Sequence, residues 1–162
     1  MDIHYIHSPI GCLRLSATDV GVRQISLIDS FPASPVYKPT ALLEETENQI
    51  QAYFLGRLFN FSIPLDLSGY PGFSQTVWKI LLDIPYGKTT SYKDIAVCLG
   101  NHGLVRAVGQ ANRINPVPII VPCHRCIAFS GKLQGYVYGL EIKKYLLQLE
   151  AKHSGPSAML LF

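Results

Sequence analysis

The chain reads as α+β with two domains: a small N-terminal α/β unit over residues 1–69, and a helical unit with a helix-turn-helix over 70–162. Three observations predict this. Residues 3–28 alternate apolar and polar positions between Gly- and Pro-marked turns. The run Gly69–Tyr70–Pro71–Gly72 interrupts the pattern as a linker would. Beyond it, apolar residues recur at helical spacing. A length of 162 residues admits either one domain or two small ones.

Element by element, Ile3, Tyr5 and Ile6 begin a small antiparallel meander. Cys12, Leu13 and Leu15 follow the Pro9–Gly11 turn, then Val20–Gly21–Val22 and Ile25–Leu27–Ile28. Ser30–Thr40 is a loop marked by Pro32, Pro35 and Pro39. Leu42–Leu55 places Leu42, Leu43, Thr46, Ile50, Tyr53 and Phe54 on one helical face, with Gly56 as the stop. Phe59, Phe61 and Ile63 predict one more strand, ended by Pro64. In the second half, Ser74 is read as the cap of a helix carrying Val77, Trp78, Leu81 and Leu82. Ser91-x-x-Asp94 predicts a capping box for a helix bearing Tyr92, Ile95, Ala96 and Leu99. Leu104–Ile114 is a third helix, with Val105, Val108 and Ala111 inward. The short Gly100–Gly103 turn between these two helices fits a helix-turn-helix. Ile119–Ile120–Val121 reads as a short strand whose end holds Pro122–Cys123–His124–Arg125. Gly131, Gly135 and Gly139 mark a loop, and Glu141–Lys152 is the last helix. The tail from His153 has little helical logic, and Leu160–Phe162 could dock on apolar surface.

Apolar residues make up 48% of the chain and charged ones 15%, which suits a folded protein rather than a disordered one. Met1–Ile10 lacks the apolar core of a signal peptide, and no apolar run is long enough to span a bilayer. A cytoplasmic location without membrane attachment is the expectation. Charge divides unevenly. Residues 1–69 carry four Lys or Arg against seven Asp or Glu, and residues 70–162 carry ten against four. A basic half suggests a polyanion partner, although two solvated surfaces of unequal composition would look the same. Ala107, Gly109 and Ala111 lie on the third helix with Arg106 and Arg113. Small residues let a helix backbone approach a partner and arginines reach phosphates or bases; tight packing on a neighbouring helix is the alternative.

Four cysteines, Cys12, Cys98, Cys123 and Cys126, are expected to be reduced in the cytoplasm. Cys123 and Cys126 form a C-x-x-C. Zinc is disfavoured because no second close pair exists, and a redox pair because no helix pattern follows. A cysteine attacks carbon as thiolate, and the free side chain is mostly thiol at neutral pH. His124 and Arg125 are adjacent in sequence, and Glu150 on the last helix could orient the imidazole. Thiol, imidazole and carboxylate make an activation relay. A cysteine serving only as a small buried hydrophobe is the more common case in general.

Pro122–Cys123–His124–Arg125, preceded by Asn115–Pro116–Val117–Pro118–Ile119, resembles the signature of the O6-alkylguanine-DNA alkyltransferases. The resemblance extends to Phe73-x-x-x-Val77–Trp78, Ile84–Pro85–Tyr86–Gly87-x-Thr89-x-Ser91–Tyr92, Arg106–Ala107–Val108–Gly109, Gly135–Tyr136, Gly139–Leu140 and the segment from Lys144 to Glu150. It covers most of residues 70–162 and is specific in order and spacing; the first 69 residues match only in a general way. It implies a ribonuclease-H-like N-terminal domain, a winged-helix-type C-terminal domain, and stoichiometric repair of alkylated DNA with no turnover. By the same resemblance Cys123 accepts the alkyl group, His124 draws off the thiol proton through a water, and Glu150 orients His124. Tyr92 stabilises the departing guanine, Arg106 fills the gap left by the flipped nucleotide, and Asn115 holds the active-site turn. Tyr136 walls the base, with Val137, Tyr138, Pro118 and Cys126 completing the pocket, where the backbone around Cys123 and Cys126 reads the base edge. The helix with Arg106, Ala107, Gly109, Ala111 and Arg113 is implied to enter the minor groove of double-stranded DNA. O4-alkylthymine is a possible second substrate.

Two departures stand out. Tyr138 replaces the family's usual glycine, which predicts that methyl adducts react well and benzyl-sized ones poorly. Cys126 replaces an aliphatic residue. Some relatives carry N-terminal zinc; His4, His7 and Cys12 are close in sequence without a matching ligand set, so no metal and no cofactor are expected. A monomer is the default. Two other readings remain at this stage: a non-catalytic lesion-binding protein of the same fold, against which Cys123 argues, and a thiol hydrolase, which leaves Arg106 and Tyr92 without a purpose.

Overall fold

The computed structural model describes residues 1–33 and 38–155, so Pro35 and the docking of Leu160–Phe162 lie outside the described residues. Contacts within the chain divide it into Met1–Ser68 and Gly69–Phe162. No helix among the described residues is long and apolar enough to cross a membrane.

In the first unit, β1 (Asp2–Ser8), β2 (Gly11–Ala17) and β3 (Val22–Ile28) form an antiparallel sheet in chain order. Alternation places Leu13, Leu15 and Ala17 of β2 in the core, in register with Ile6 of β1 and Ile25 of β3. Because side chains alternate faces, a one-residue slip would turn this whole row to solvent. α1 (Ala41–Phe54) covers the sheet with Leu43, Thr46, Ile50, Tyr53 and Phe54. The Thr46 hydroxyl, which would otherwise be stranded, donates to the Leu42 carbonyl at 2.7 Å. His4 Nε2 lies 2.6 Å from Glu47 Oε2, tying β1 to α1.

The strand expected over Phe59–Ile63 does not form. Pairing falls slightly later, as an isolated parallel bridge between Leu65 and Val22. Val22 N–H donates to Pro64 O at 2.8 Å and Asp66 N–H to Val22 O at 2.9 Å. Gly21 makes this approach possible, since a Cβ there would sit 2.5 Å from Pro64 O. Alternating aromatics predicted the right kind of segment, but Pro64 has no N–H to extend a ladder through the preceding residues.

The second unit holds α2 (Gly72–Leu82), β4 (Thr90–Ser91), α3 (Tyr92–Cys98), α4 (Val105–Arg113), β5 (Cys126–Ile127) and α5 (Leu140–His153). α2 begins at Gly72 after Pro71, not at Ser74, which is buried inside the first turn. Val77, Trp78 and Leu81 of α2 pack in the core with Ile95 and Ala96 of α3, Val108 and Ala111 of α4, and Leu146 and Leu147 of α5. Trp78 Nε1–H donates to Ala111 O at 2.8 Å, which satisfies an indole buried among apolar groups. α3 starts with the expected capping box: Ser91 Oγ accepts from Asp94 N–H at 3.0 Å while Asp94 accepts from Ser91 N–H at 3.2 Å. A 3-10 turn at His102–Leu104, capped by Asn101, leads from α3 into α4. β4 pairs in parallel with β5, Thr90 opposite Cys126. That short ladder brings the start of α3, and so Tyr92, beside the segment carrying Cys123.

Candidate active site

Cys123 stands at the start of a buried 3-10 turn, Cys123–Arg125, and not at the tip of a strand. Ile119–Ile120–Val121 is a tight turn: Val121 N–H donates to Val117 O at 2.9 Å, and Ile119 has φ of 78°. A β-branched residue in the left-handed region is strained by about 1–3 kcal/mol, so the surroundings must hold it there. Asn115 supplies much of that hold. Its Oδ1 accepts from Val117 N–H at 3.0 Å, and its Nδ2 donates to Val121 O at 2.8 Å and to Cys123 Sγ at 3.0 Å. The same amide therefore shapes the turn and touches the sulfur. Burial pushes the Cys123 thiol up to about 11, with the Asn115 hydrogen bond and the Lys143 charge acting against the rise. At neutral pH the sulfur rests as thiol and needs a base.

His124, the next residue, is a candidate. His124, fully buried, has Nε2 at 2.7 Å from Glu150 Oε1. Burial works against the charge on Glu150, yet His124 and Arg125 hold its carboxyl well below the usual range, so it is a carboxylate and accepts only. Nε2 therefore carries the proton and Nδ1 is the basic nitrogen. Burial also lowers His124 from its ordinary value, which keeps the imidazole neutral and able to take a proton. Arg125 donates through Nε to Glu150 Oε2 at 2.9 Å, through Nη2 to Oε1 at 3.0 Å, and through Nη1 to Ile84 O at 2.6 Å. Its guanidinium braces the carboxylate and does not activate the sulfur, as sequence adjacency alone would suggest. Gly87 N–H adds a further donor to Glu150 Oε2 at 3.1 Å. Gly87 has φ of 74°, and a Cβ there would run into Ser154.

Family comparison matches both halves of the chain. Residues 72–152 match the 6-O-methylguanine DNA methyltransferase DNA binding domain, and residues 1–67 the ribonuclease-like domain of the same proteins. The chain belongs to the 6-O-methylguanine DNA methyltransferase family. A methylated-DNA–protein-cysteine methyltransferase of Mycobacterium bovis is 44% identical over 99% of this chain and 99% of its own length. One from Methanosarcina barkeri is 42% identical over 90% of this chain and 94% of its own. The crystal structure of Mycobacterium tuberculosis OGT in complex with DNA superposes with a TM-score of 0.82 at 43% identity, covering 93% of each chain.

As in other members of the 6-O-methylguanine DNA methyltransferase family, the chain pairs a sheet-containing N-terminal part with a helical C-terminal part. Cys123 opens onto a cavity of about 730 Å³ in the C-terminal unit, a size suited to a small ligand. Tyr92, Arg106, Gly109, Arg113, Gln134, Tyr136 and Val137 are among its walls. The Tyr92 hydroxyl donates to Gln134 O at 3.0 Å, and burial raises it so that it remains a phenol. Arg106 and Arg113 are exposed, and among the described residues neither guanidinium has an ion-pair partner.

Not every expected residue faces this cavity. Ala111 is 1% exposed and its carbonyl receives Trp78, so it packs inward instead of meeting a partner. Val105, expected inward, is 38% exposed and lines the cavity, because α4 starts at that residue and its first turn stands clear of the core. Ala107 is half-buried. Pro118 and Cys126 are buried and, with Tyr138, are not among the lining residues. The Tyr138 ring lies 5.7 Å from that of Tyr136 and edge-on to it.

Lys143 is the residue that sequence reasoning missed. It is fully buried on α5, and its ammonium donates to the carbonyls of Cys126 at 2.7 Å, Gln134 at 2.8 Å and Gly135 at 3.2 Å. It also approaches the Tyr92 hydroxyl at 3.4 Å. Burial lowers Lys143, and the neighbouring cysteines oppose that shift. A signal was present: Lys143, Leu146, Leu147 and Glu150 fall on one helical face, so Lys143 shares the inner stripe with the catalytic carboxylate candidate.

Proposed function

We propose that this protein repairs duplex DNA by drawing an O6-alkylated guanine out of the stack and moving its alkyl group irreversibly to Cys123. The observation that carries the reading is the Cys123 thiol at the wall of a cavity, touched by Asn115 at 3.0 Å and followed by the 2.7 Å His124–Glu150 pair. The M. tuberculosis OGT structure contains DNA, and the exposed arginines on α4 suit a phosphate-lined partner. In this reading α4 enters the minor groove, with Gly109 open at its surface and no atom within 4 Å of a Cβ built there. Arg106 takes the place of the extruded base, an exchange that offsets an unstacking cost of a few kcal/mol.

The chemistry is a displacement at carbon. His124 Nδ1 receives the thiol proton through a water, the sulfur forms a bond to the alkyl carbon, and the carbon–O6 bond breaks. Tyr92 turns from Gln134 O to protonate the guanine ring, so that a neutral base departs and not its anion. Solvent then carries the His124 proton to the Tyr92 oxygen, so that in sum one hydrogen leaves the thiol and guanine gains one. The thioether is stable, so each molecule acts once. An acceptor of this kind needs a reduced thiol, which favours action in the cytoplasm, and one chain holds every residue named, which favours a monomer.

Intact-protein mass after mixing with methylated-guanine duplex tests the reading. A gain of one methyl on Cys123, absent in Cys123→Ala, is expected. Repeated ester or amide cleavage would indicate a hydrolase instead, and lesion binding with no mass gain a non-catalytic reader. Adduct size offers a second measurement. Tyr138 packs edge-on against Tyr136 on the cavity wall and would hold it in place, so inactivation by a benzylated guanine should be slow and Tyr138→Gly should speed it. A rapid reaction that ignores this substitution would count against the tyrosine pair as the size limit.

A further inference from the structure

Cys126 carries a buried thiol for which the alkyl-transfer chemistry has no use. The fold sets it beside the acceptor. Cys123–Arg125 is a 3-10 turn, closed by the Cys126 N–H donating to the Cys123 carbonyl. Such a turn rises about 2 Å per residue and has about three residues in each revolution, so the Cα atoms of positions i and i+3 lie about 6 Å apart. Disulfides join Cα atoms about 4.4–6.8 Å apart. Both sulfurs also bear on the same two neighbours. After burial itself, Cys126 and Cys123 raise the Tyr92 phenol, and both oppose the lowering that burial imposes on the Lys143 ammonium. The pair is unequal in access: Cys123 lines the cavity, whereas Cys126 is 0% exposed and burial pushes its thiol up to about 12. An oxidant in the cavity therefore meets Cys123 first.

We propose that Cys126 is a resolving thiol: when hydrogen peroxide oxidises Cys123, Cys126 closes a disulfide onto it, and a dithiol reductant reopens the bridge. In the first step the Cys123 sulfur attacks the O–O bond, leaving a sulfenic acid and releasing water. In the second the Cys126 sulfur attacks the Cys123 sulfur, the S–O bond breaks, and the hydroxyl departs with the Cys126 proton as a second water. In sum, two thiols lose two electrons and two protons, and one peroxide becomes two waters. Little of the Cys126 thiol is ionised at neutral pH, but a partner held one turn away acts at an effective concentration that no thiol in solution matches. Stopping at the disulfide spares Cys123 the sulfinic acid, from which a thiol reductant does not recover it. The benefit to repair rests on the alkyl-transfer reading; the disulfide itself does not.

Peptide mapping of the oxidised protein tests this. The reduced full chain is treated with hydrogen peroxide at neutral pH, its free thiols are blocked, and it is unfolded and cut with trypsin. Cleavage after Arg125 separates the two cysteines, so peptides 114–125 and 126–132 stay together only through a Cys123–Cys126 bridge. The joined pair is expected, with two hydrogens lost from the intact mass and Cys12 and Cys98 blocked as free thiols. Dithiothreitol should then return methyl gain on Cys123 to within about twofold of the untreated rate, since the bridge is reversible. In Cys126→Val the same dose should carry Cys123 to the sulfinic acid, leaving methyl gain about tenfold or more below that variant's own untreated rate after dithiothreitol. Equal recovery in the variant would overturn the resolving role. So would wild-type Cys123 recovered as sulfinic acid, bridged to Cys12 or Cys98, or unmodified, and these outcomes need no variant to fold. Absence of methyl gain in untreated wild type would sink the alkyl-transfer reading instead, and the peptide map would still decide the bridge.

Discussion

Glu150→Ala is expected to lower stability by roughly 3–5 kcal/mol, the usual cost of removing one partner from a buried ionic cluster. Glu150 is 1% exposed and accepts from His124, from two nitrogens of Arg125 and from Gly87. Without it the Arg125 guanidinium, itself 6% exposed, keeps the Ile84 carbonyl as its one hydrogen-bond partner among the described residues, beside the Tyr86 ring. Urea unfolding measures the loss, and a change under about 1 kcal/mol would show that water or a shifted side chain replaces the carboxylate. The cluster also sets the response to acid. His124 lies below its ordinary 6.5 in the folded state, so the unfolded chain binds its proton first and stability declines as pH falls from there. Glu150 lies well below its ordinary 4.5, so a second decline begins as pH falls through that value. The second decline should be weaker in Glu150→Ala, which no longer has this carboxylate to protonate.

His124→Ala is expected to slow methyl transfer at neutral pH by about 10²- to 10⁴-fold, the range for loss of a general base. The pH profile separates this role from simple packing. In wild type the neutral imidazole takes the thiol proton, so the rate should be level above neutral pH. Without His124 the reaction depends on the spontaneous thiolate fraction, and burial holds the thiol near 11. The residual rate should then climb about tenfold per pH unit toward that value, narrowing the gap to wild type. A residual rate that ignores pH would remove His124 from the proton path, and so would a wild-type rate that climbs as steeply as the variant's.

Much of the architecture was legible because it follows local rules. The meander over residues 2–28, the capping box at Ser91 and the helices around Ile50, Trp78 and Leu146 arise from alternation, helical spacing and cap chemistry. The reading failed where side-chain hydrogen bonds redirect the backbone. Ile119–Val121 has every mark of a strand, but Asn115 folds it into a turn with φ of 78° at Ile119. Ala111 reads both as inward and as part of the small-residue stripe, and its burial, with its carbonyl taken by the Trp78 indole, bears out the first.

The residues themselves determined the family, because Cys123, His124, Glu150, Tyr92 and the α4 arginines, the groups expected to carry the chemistry, stand in an order and spacing specific to it. Only the tertiary structure decided how they are held and charged. It made the resting sulfur a thiol through burial, turned Arg125 onto Glu150, and drew Lys143 inside. The reason is physical. Desolvation and hydrogen-bond satisfaction depend on what surrounds a group in space, and sequence neighbours supply only a small part of those surroundings.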